Sequence, residues 1–359
     1  MEVDYNKNQI DRAGQFIVKD DISEEERKHY IEIIDSWRAL HAFPMNTFAV
    51  NLKKKSCLHG KPIVVQRLKR LETIVEKLER FPNMQLSRMQ DLGGCRVIVP
   101  KIEDVYAMRD KIVKSRMRHK LHNEKDYIKN PNPNTGYRGI HLIYKYKSDR
   151  NTKYNGLFIE IQIRTKLQHM WATAVETVGI FTKNDLKFNR GNKDWLRFFQ
   201  LVSYVFAVED EDSLNSLSEA IEHCIIIEDL LDLIDKLDVF TKLYAFATAT
   251  VAIYKSNKTK GKYADGYYLL ELNIETFRLK LTYFSKNEKF VSRAMETYKE
   301  IESNNDSNVN AVLVSATSIR ALKKAYPNYF AYIRDFIDTL IKLMKKQNLK
   351  CNELTKEVL

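Results

Sequence analysis

Hydrophobic and polar residues alternate along a short segment near the middle of the chain. Three isoleucines are interleaved with polar residues, in the order Phe158, Ile159, Glu160, Ile161, Gln162, Ile163 and Arg164. Successive side chains of a strand point to opposite faces, so this period of two predicts a strand whose isoleucines enter a core. The opposite face, with its carboxylate, amide and guanidinium, forms either the wall of a charged cleft or the solvated side of an antiparallel strand.

A second apolar segment, from Cys95 to Val99, predicts a neighbouring strand. Asp91 comes just before it, and Gly93 and Gly94 lie between them. Two acids at the edges of neighbouring strands could hold one divalent cation through oxygen ligands. This context favours the charged cleft over the solvated strand.

Two segments that precede Asp91 have helical periodicity. The first runs from about Glu24 to Leu40, and a loop through Pro44 is expected after it. The second predicts a helix between Pro62 and Pro82, whose apolar stripe is formed by Val64, Leu68, Leu71, Val75 and Leu78. Its other face carries cations that could line up along a polyphosphate or pair with nearby glutamates on an exposed surface, namely Arg67, Arg70, Lys77 and Arg80.

Strands and helices alternate from the Cys95 strand onward. We predict a helix over 105–114, a polar connection, strands over 139–147 and 157–164, and a helix that begins at Leu167. The connection contains a turn-forming cluster of asparagine, proline and glycine over 130–136, which ends at Tyr137. An exposed aromatic side chain beside Arg138 and His141 suits stacking on a nucleotide base together with phosphate contacts.

The second half of the chain has a different pattern of hydrophobic residues. Long helical segments extend through Tyr254, followed by two strands over 267–272 and 279–283 that are joined as in a hairpin. A helix over 290–301, a strand over 312–315 and a helix over 329–343 are predicted to complete a small α+β unit. We see no internal repeat and no catalytic motif in this half.

Composition restricts the class of protein. The chain has 359 residues, 44% of them hydrophobic, a net charge of +12 and a pI of about 9.2. The hydrophobic fraction excludes a disordered chain, and the charge indicates either an anionic partner or merely a basic surface. The four cysteines have no metal-ligand spacing and indicate no disulfide framework. The N-terminus lacks an apolar signal region and no apolar run is long enough for a membrane span, so we expect a cytoplasmic location.

Common nucleotide-binding motifs are absent from the sequence. There is no GxxxxGK[ST] loop, no GxGxxG and no His-Asp pair. Three ordered blocks instead resemble the synthetase domain of RelA/SpoT-type alarmone synthetases, over roughly a third of the chain between 62 and 180. The blocks are Arg88-Met89-Gln90-Asp91-Leu92-Gly93-Gly94-Cys95-Arg96-Val97, Asn134-Thr135-Gly136-Tyr137-Arg138-Gly139-Ile140-His141 and Glu160-Ile161-Gln162-Ile163-Arg164-Thr165.

The resemblance implies an activity and a set of site residues. Such enzymes transfer the β,γ-diphosphate of ATP to the 3′-hydroxyl of GDP or GTP and so make the alarmone (p)ppGpp. By similarity, Asp91 would bind Mg²⁺, or Mn²⁺ in its place, and Glu160 would assist the metal and accept the proton of the attacking hydroxyl. The ATP phosphates would be bound by Arg67, Lys69, Lys77, Arg80 and Arg96. The acceptor would be bound by Tyr137, Arg138, His141, Gln162 and Arg164.

The helix after the third block could close the cleft with a polar face, formed by His169, Thr173 and Glu176 at helical spacing, while Trp171 is interpreted as a packing residue. The overall prediction is an α/β (α+β) fold with a mixed-sheet, nucleotidyltransferase-like synthetase domain. We divide the chain into a helical region over 1–61, the synthetase domain over 62–193, a helical connector over 194–262 and a small α+β domain over 263–359.

Two other functions remain open at this point. Toxic relatives of the family transfer pyrophosphate to the 3′ end of tRNA, and a basic surface for RNA could come from Lys53, Lys54, Lys55, Arg116, Arg118, His119 and Lys120. A non-catalytic nucleotide-sensing module is the second alternative, and two intact carboxylates count against it. Nothing matches the hydrolase domain of bifunctional relatives, so residues 194–359 are expected to add regulation, a protein partner or substrate choice.

Overall fold

The alternating isoleucines form the predicted strand, in the interior of a mixed sheet. Ile159, Ile161 and Ile163 are fully buried, and they pack against Val97 and Leu142 of the strands on either side. In the computed structural model, the described residues are 5–181, 193–211, 216–240, 243, 266–273, 278–285, 293–294, 296–298, 300–301, 309–316 and 333–358.

The main sheet has five strands in the order β1-β2-β5-β4-β3. Their bounds are Ile63–Leu68 (β1), Gly93–Val99 (β2), Lys120–Asp126 (β3), Ile140–Lys145 (β4) and Phe158–Thr165 (β5). β2 and β5 are parallel, whereas the other pairs are antiparallel. The register places Gln162 between Arg96 of β2 and His141 of β4. Residues of three strands therefore meet on one polar face.

Helices flank this sheet. They are Lys7–Phe16 (α1), Glu24–Leu40 (α2), Ala42–Lys54 (α3), Leu71–Arg80 (α4), Ile102–Val113 (α5) and Lys166–Phe181 (α6), with 3₁₀ turns at Leu86–Arg88 and Thr152–Tyr154. α2 has the predicted bounds, since Ser23 and Glu26 form a capping box at its start. The mixed α+β class is confirmed.

Three predictions for this half are wrong. The segment after Pro62 is the strand β1 followed by α4, because a run of β-branched residues at its start favours a strand and β2 offers an antiparallel partner. Pro44 lies within α3, where the first turn leaves backbone N–H groups unpaired and tolerates proline. The polar connection contains β3, an edge strand whose largely exposed side chains give no alternation.

A buried arginine in α2 connects distant parts of the chain. Arg38 is 2% exposed, and its Nε donates a hydrogen bond to the carbonyl of Lys69 at 3.0 Å. Its Nη1 lies 2.5 Å from the carboxylate of Asp35, and its Nη2 donates to the hydroxyl of Tyr298 at 3.3 Å. One guanidinium thus binds the backbone beside β1 and a side chain from the far end of the sequence.

The second half contains a helical layer and a small sheet. Lys193–Glu211 (α7), Leu217–Leu237 (α8) and Ile333–Val358 (α9) share a core with α6. Gly266–Asn273 (β6), Arg278–Ser285 (β7) and Val309–Ala316 (β8) form a sheet in the order β7-β6-β8. The predicted hairpin is confirmed by the antiparallel pair β6 and β7. The predicted helix over 290–301 lies partly outside the described residues, and the division into domains stays a prediction.

One disulfide was not expected. Cys224 in α8 and Cys351 in α9 are bonded, with their Cα atoms 5.5 Å apart across 127 residues of sequence. Spacing along the chain could not reveal this pair, because it is the packing of two helices that brings the residues together.

None of the described helices combines the length and the apolar composition that a bilayer crossing requires.

Candidate active site

A cavity of about 500 Å³ opens on the polar face of the main sheet, between α4, α6 and α7. It brings together all but one of the residues predicted for the site. Those that line it are Arg67, Lys69, Lys77, Arg80, Asp91, Arg96, Tyr137, His141, Glu160, Gln162 and Arg164. The three sequence blocks therefore meet in one place.

Asp91 lies at the cationic end of the cavity. Its two carboxylate oxygens are 3.0 Å from Nζ of Lys69 and 2.8 Å from Nζ of Lys77. Burial alone would raise the pKa of Asp91, but the two ammonium groups outweigh it and hold that pKa well below its usual value. Burial lowers the pKa of Lys69. Asp91 is consequently a carboxylate at neutral pH, and both of its oxygens face cations.

Further cations extend this end. Arg67 lies near the end of β1, and its Nη1 is 3.7 Å from Oε1 of Glu176 on α6. Arg80 ends α4, and Arg96 stands on β2 beside Gly94. Gly94 lacks a side chain where an added Cβ would come within 3.3 Å of the Glu160 carbonyl, so β2 and β5 stay close at the cavity floor. A dense group of cations around one carboxylate suits a polyanion such as a triphosphate.

Glu160 occupies the middle of the cavity floor. Its Oε1 lies 2.9 Å from Nδ1 of His141, and its Oε2 accepts a hydrogen bond from the Gln162 amide at 2.8 Å. Burial would raise the pKa of Glu160, but His141 and Gln162 together lower it below its usual value despite the nearby charge of Asp91. Glu160 is therefore an oriented carboxylate that can accept a proton.

Tyr137 lies at the other end of the cavity. Its hydroxyl is 2.5 Å from Nε2 of His141 and accepts hydrogen bonds from Arg164 Nε at 3.0 Å and Nη2 at 2.7 Å. The guanidinium carbon of Arg164 also lies 4.9 Å from the centre of the tyrosine ring. Tyr137 was expected to be exposed, but it is half-buried and held at its hydroxyl. Burial raises the pKa of this hydroxyl.

Arg164 is well placed to meet a ligand. It is 4% exposed, and its Nη2 also donates to the Gln162 side chain at 2.8 Å. Its Nη1 is buried and has no hydrogen-bond partner among the described residues. A buried, unpaired guanidinium donor beside a cavity is costly unless a ligand satisfies it. Arg164 therefore has one unsatisfied donor at the wall of the cavity.

Arg138 does not share this arrangement. It lies outside the described lining of the cavity, and its Nη2 forms an ion pair with Glu211 of α7. The prediction that Arg138 contacts the acceptor does not fit this geometry. The physical reason is that Arg138 lies in the loop before β4, where its guanidinium is held by the carboxylate of Glu211 on α7.

Trp171 and Glu176 of α6 line the cavity, whereas His169 and Thr173 are buried in the helix packing. The Thr173 hydroxyl donates to the carbonyl of His169 at 2.9 Å, so these two residues do not form the predicted polar face. Trp171 packs as predicted, and its Nε1 donates to the carbonyl of Phe199 at 2.7 Å. Only Glu176 of the predicted trio reaches the cavity.

Several lining residues were missed by the sequence analysis. They are Thr73, Phe81, Tyr127, Asn132, Thr135, Ala172, Val175, Leu196 and Phe199. Leu196 and Phe199 belong to α7, which we had interpreted as part of a helical connector. The available signal was Gln200 and Ser203, two polar residues in a helix whose neighbouring positions are aromatic or aliphatic.

The residues present fit a magnesium ion that is bound together with a substrate. Mg²⁺ usually takes one or two carboxylates, substrate phosphates and water rather than a complete protein cage. Asp91 and Glu160 supply two carboxylates near each other, and no group of three or more acidic, histidine or cysteine ligands occurs among the described residues.

Comparisons with known proteins identify relatives of the segment that forms most of the cavity. Residues 66–184 match a family described as a region found in RelA/SpoT proteins. GTP pyrophosphokinase YwaC of Bacillus subtilis is 30% identical over 147 residues, which are 39% of this chain and 69% of the relative. GTP pyrophosphokinase YjbM of the same organism is 30% identical over 112 residues, 31% of this chain and 52% of that protein.

Solved structures are also similar. Small alarmone synthetase 1 from Bacillus subtilis, bound to its product pppGpp, is 23% identical with a TM-score of 0.43, and the match covers 49% of this chain and 92% of that one. The chain spans about two thirds of the first curated relative and half of the second. The family match ends at residue 184, before α7, α8 and α9.

Proposed function

This chain belongs to the RelA/SpoT family of pyrophosphotransferases, and on that premise we propose that it transfers the β,γ-diphosphate of ATP to the 3′-hydroxyl of GDP or GTP. The product would be the alarmone (p)ppGpp, and AMP would be released. One observation carries the proposal: a single cavity joins a cationic end around Asp91, an oriented carboxylate at Glu160 and an aromatic end at Tyr137.

The cationic end would bind ATP. Lys69 and Lys77 both contact Asp91 in the free protein, and Arg67, Arg80 and Arg96 stand around them. A triphosphate would offer these cations more negative charge than one aspartate does, so the lysines would turn to the phosphates. Asp91 would then be free to hold Mg²⁺ with Glu160, and the ion would supply charge neutralisation at the phosphate oxygens.

The aromatic end would bind the acceptor. The Tyr137 ring is fixed at its hydroxyl by His141 and Arg164, so its position is set before a base stacks on it. The unpaired Nη1 of Arg164 would donate to an acceptor oxygen. Gln162 and His141 hold the two oxygens of Glu160 between this end and the ATP end.

Transfer requires that the 3′-hydroxyl attack the β-phosphorus of ATP. The new bond joins the 3′-oxygen to that phosphorus, the bond from the bridging oxygen of the α-phosphate to the β-phosphorus breaks, and AMP leaves with the electron pair. Glu160 accepts the hydroxyl proton, because it is ionised at neutral pH and sits in the cavity floor between the two ends.

The proposal can be tested with labelled substrate. The purified protein and its Asp91→Ala variant would be incubated with Mg²⁺, γ-labelled ATP and one acceptor at a time: GDP, GTP or deacylated tRNA. We expect the label on a guanosine nucleotide with the parent protein and none with the variant. Circular dichroism would confirm that the variant is folded.

Other outcomes would replace the proposal. Label on tRNA alone would show a translation-blocking enzyme, and its basic surface outside the cavity would become the first place to examine. Tight nucleotide binding without any transfer would show a nucleotide-sensing module. Undiminished transfer by Asp91→Ala would contradict the role given to this carboxylate.

A further inference from the structure

α7 lies beyond residue 184, where the family match ends, yet it forms part of the cavity wall. Leu196 and Phe199 are three residues apart, Gln200 and Ser203 are three residues apart, and the second pair follows the first by four residues, which places all of them on one side of the helix. Leu196 and Phe199 line the cavity itself. The other two residues contact the loop that carries Tyr137.

The loop over 132–139, which we call the acceptor loop, is fastened to this face. The Gln200 side-chain amide donates to the carbonyl of Asn134 at 2.8 Å, and the Ser203 hydroxyl donates to the carbonyl of Gly136 at 2.5 Å. Ser203 is 6% exposed, so its hydrogen bond is shielded from water. Both carbonyls lie within three residues of Tyr137.

The close approach of the acceptor loop to α7 depends on glycine at position 136. Gly136 has φ of +75°, and an added Cβ would lie 3.1 Å from Cβ of Ser203 and 3.2 Å from Cα of Gln200. The loop is closed internally by the side chain of Asn132, which accepts hydrogen bonds from the amides of Asn134 and Thr135. A compact turn is therefore seated directly on the helix.

Two further bonds tie α7 to the same site. Glu211 forms the ion pair with Arg138, the residue that follows Tyr137, and Asp210 accepts a hydrogen bond from the Thr165 hydroxyl at 2.5 Å. Thr165 follows Arg164 at the end of β5. The helix thus holds both segments whose side chains meet at the Tyr137 hydroxyl.

We propose that α7 is the support of the acceptor end, with Gln200 and Ser203 as positioning residues that set Tyr137 for a purine base and Leu196 and Phe199 as the far wall of that base pocket. The inference rests on the proposed transfer to a guanosine nucleotide. It assigns part of acceptor recognition to a segment outside the matched region.

The test uses the full chain with the double variant Gln200→Ala, Ser203→Ala and the control Arg197→Ala. Arg197 also lies on α7, but it is exposed and pairs with Asp229 of α8 at 2.7 Å. The double variant removes the hydrogen-bond donors to the carbonyls of Asn134 and Gly136, so the loop should hold Tyr137 less firmly. KM for GDP or GTP should therefore rise by about tenfold or more, with KM for ATP unchanged. The control should leave both constants unchanged.

Hydrogen exchange gives a second measurement that needs no activity. The amides of Thr135 and Gly136, which donate within the turn, should exchange faster in the double variant and not in the control. Unchanged acceptor KM together with unchanged exchange would overturn the inference, as would an equal rise of both KM values. If the parent protein transfers to no acceptor, exchange still decides whether α7 supports the loop, while the proposed function fails separately.

Discussion

The two ends of the cavity are built in different ways. The cationic end draws on one stretch of chain, from Arg67 on β1 to Arg96 on β2, and its charged side chains lie close in sequence. The acceptor end combines the loop around Tyr137, the strand residue Arg164 and α7, which are separated by long intervals. A polyanion site can be assembled from neighbouring cations, whereas a shaped base pocket needs walls from several directions.

The difference also appears in how each end is held before substrate binds. At the cationic end the flexible side chains of Lys69 and Lys77 hold Asp91 by charge-assisted hydrogen bonds, for which a bound anion would compete. At the acceptor end Tyr137 is fixed by hydrogen bonds to its hydroxyl and by a loop seated on a helix. One end is expected to rearrange on binding, and the other is already arranged.

The largest expected effect comes from the carboxylate between the two ends. Glu160→Gln should keep the shape of the site but remove the proton acceptor, so kcat should fall by about 10²- to 10⁴-fold. Binding of the guanosine nucleotide alone, measured by calorimetry, should change little. The exposed Glu103→Gln on α5 is the control, and an unchanged kcat in Glu160→Gln would refute the assigned role.

Arg67→Ala should affect the cationic end alone. Loss of a charge-assisted contact to phosphate should weaken binding of a non-hydrolysable ATP analogue by about 10- to 100-fold. Acceptor binding should stay within error. Arg109→Ala on α5, where the side chain pairs with Glu124 outside the cavity, provides a control that removes a charge elsewhere. Equal losses of ATP-analogue binding and acceptor binding would show that the two ends of the cavity do not act separately.

Tyr137→Ala should affect the acceptor end alone. Removal of the stacking surface should raise KM for the guanosine nucleotide by about tenfold, with KM for ATP unchanged. Tyr137→Phe keeps the ring and removes the hydroxyl that holds Arg164 and His141, so its effect should be smaller. If Tyr137→Ala leaves the acceptor dependence untouched, the stacking role is wrong.

The smallest expected effect is on stability, and it comes from a buried histidine that packs behind the cationic end. His41 is buried against Gly93 at the start of β2, and burial lowers its pKa to about 4. The unfolded chain takes up a proton at higher pH than the folded one does, so this histidine destabilises the fold as the pH drops below the unfolded value. Between about pH 7 and about pH 5.5 the free energy of unfolding should fall by about 1 kcal/mol.

This slope can be measured from amide exchange in β2. His41→Gln, which cannot titrate, should flatten the pH dependence, whereas the exposed His122→Gln on β3 should not. The amides of the acceptor loop should show no matching slope. A slope that persists in His41→Gln would assign it to another group.

Much of the site could be predicted because its chemistry is concentrated in short blocks. Asp91 and Glu160 precede or interrupt apolar runs, and alternation alone places Gln162 and Arg164 on the face of Glu160. The error over 62–82 arose because Val64, Leu68 and Leu71 fit a helical period across a strand and a helix. Pairing with β2 is what makes the first part of this segment a strand, and the spacing of residues within the segment contains no information about that partner.

The remaining residues depend on contacts between distant segments. Nothing near Ser203 in the sequence points to Gly136, and the pairing of Arg138 with Glu211 likewise arises only when α7 packs on the sheet. β3 was not predicted, because an edge strand whose side chains are mostly exposed has no hydrophobic face in its sequence.

The buried Arg38 has a consequence for how this sequence can vary. Lysine has the same charge but three donors on one nitrogen, so it cannot span the carbonyl of Lys69, the carboxylate of Asp35 and the hydroxyl of Tyr298 as the planar guanidinium does. In a saturation mutagenesis library selected for function, position 38 should tolerate almost no replacement. It should behave like an active-site position although it lies outside the family match and outside the described lining of the cavity.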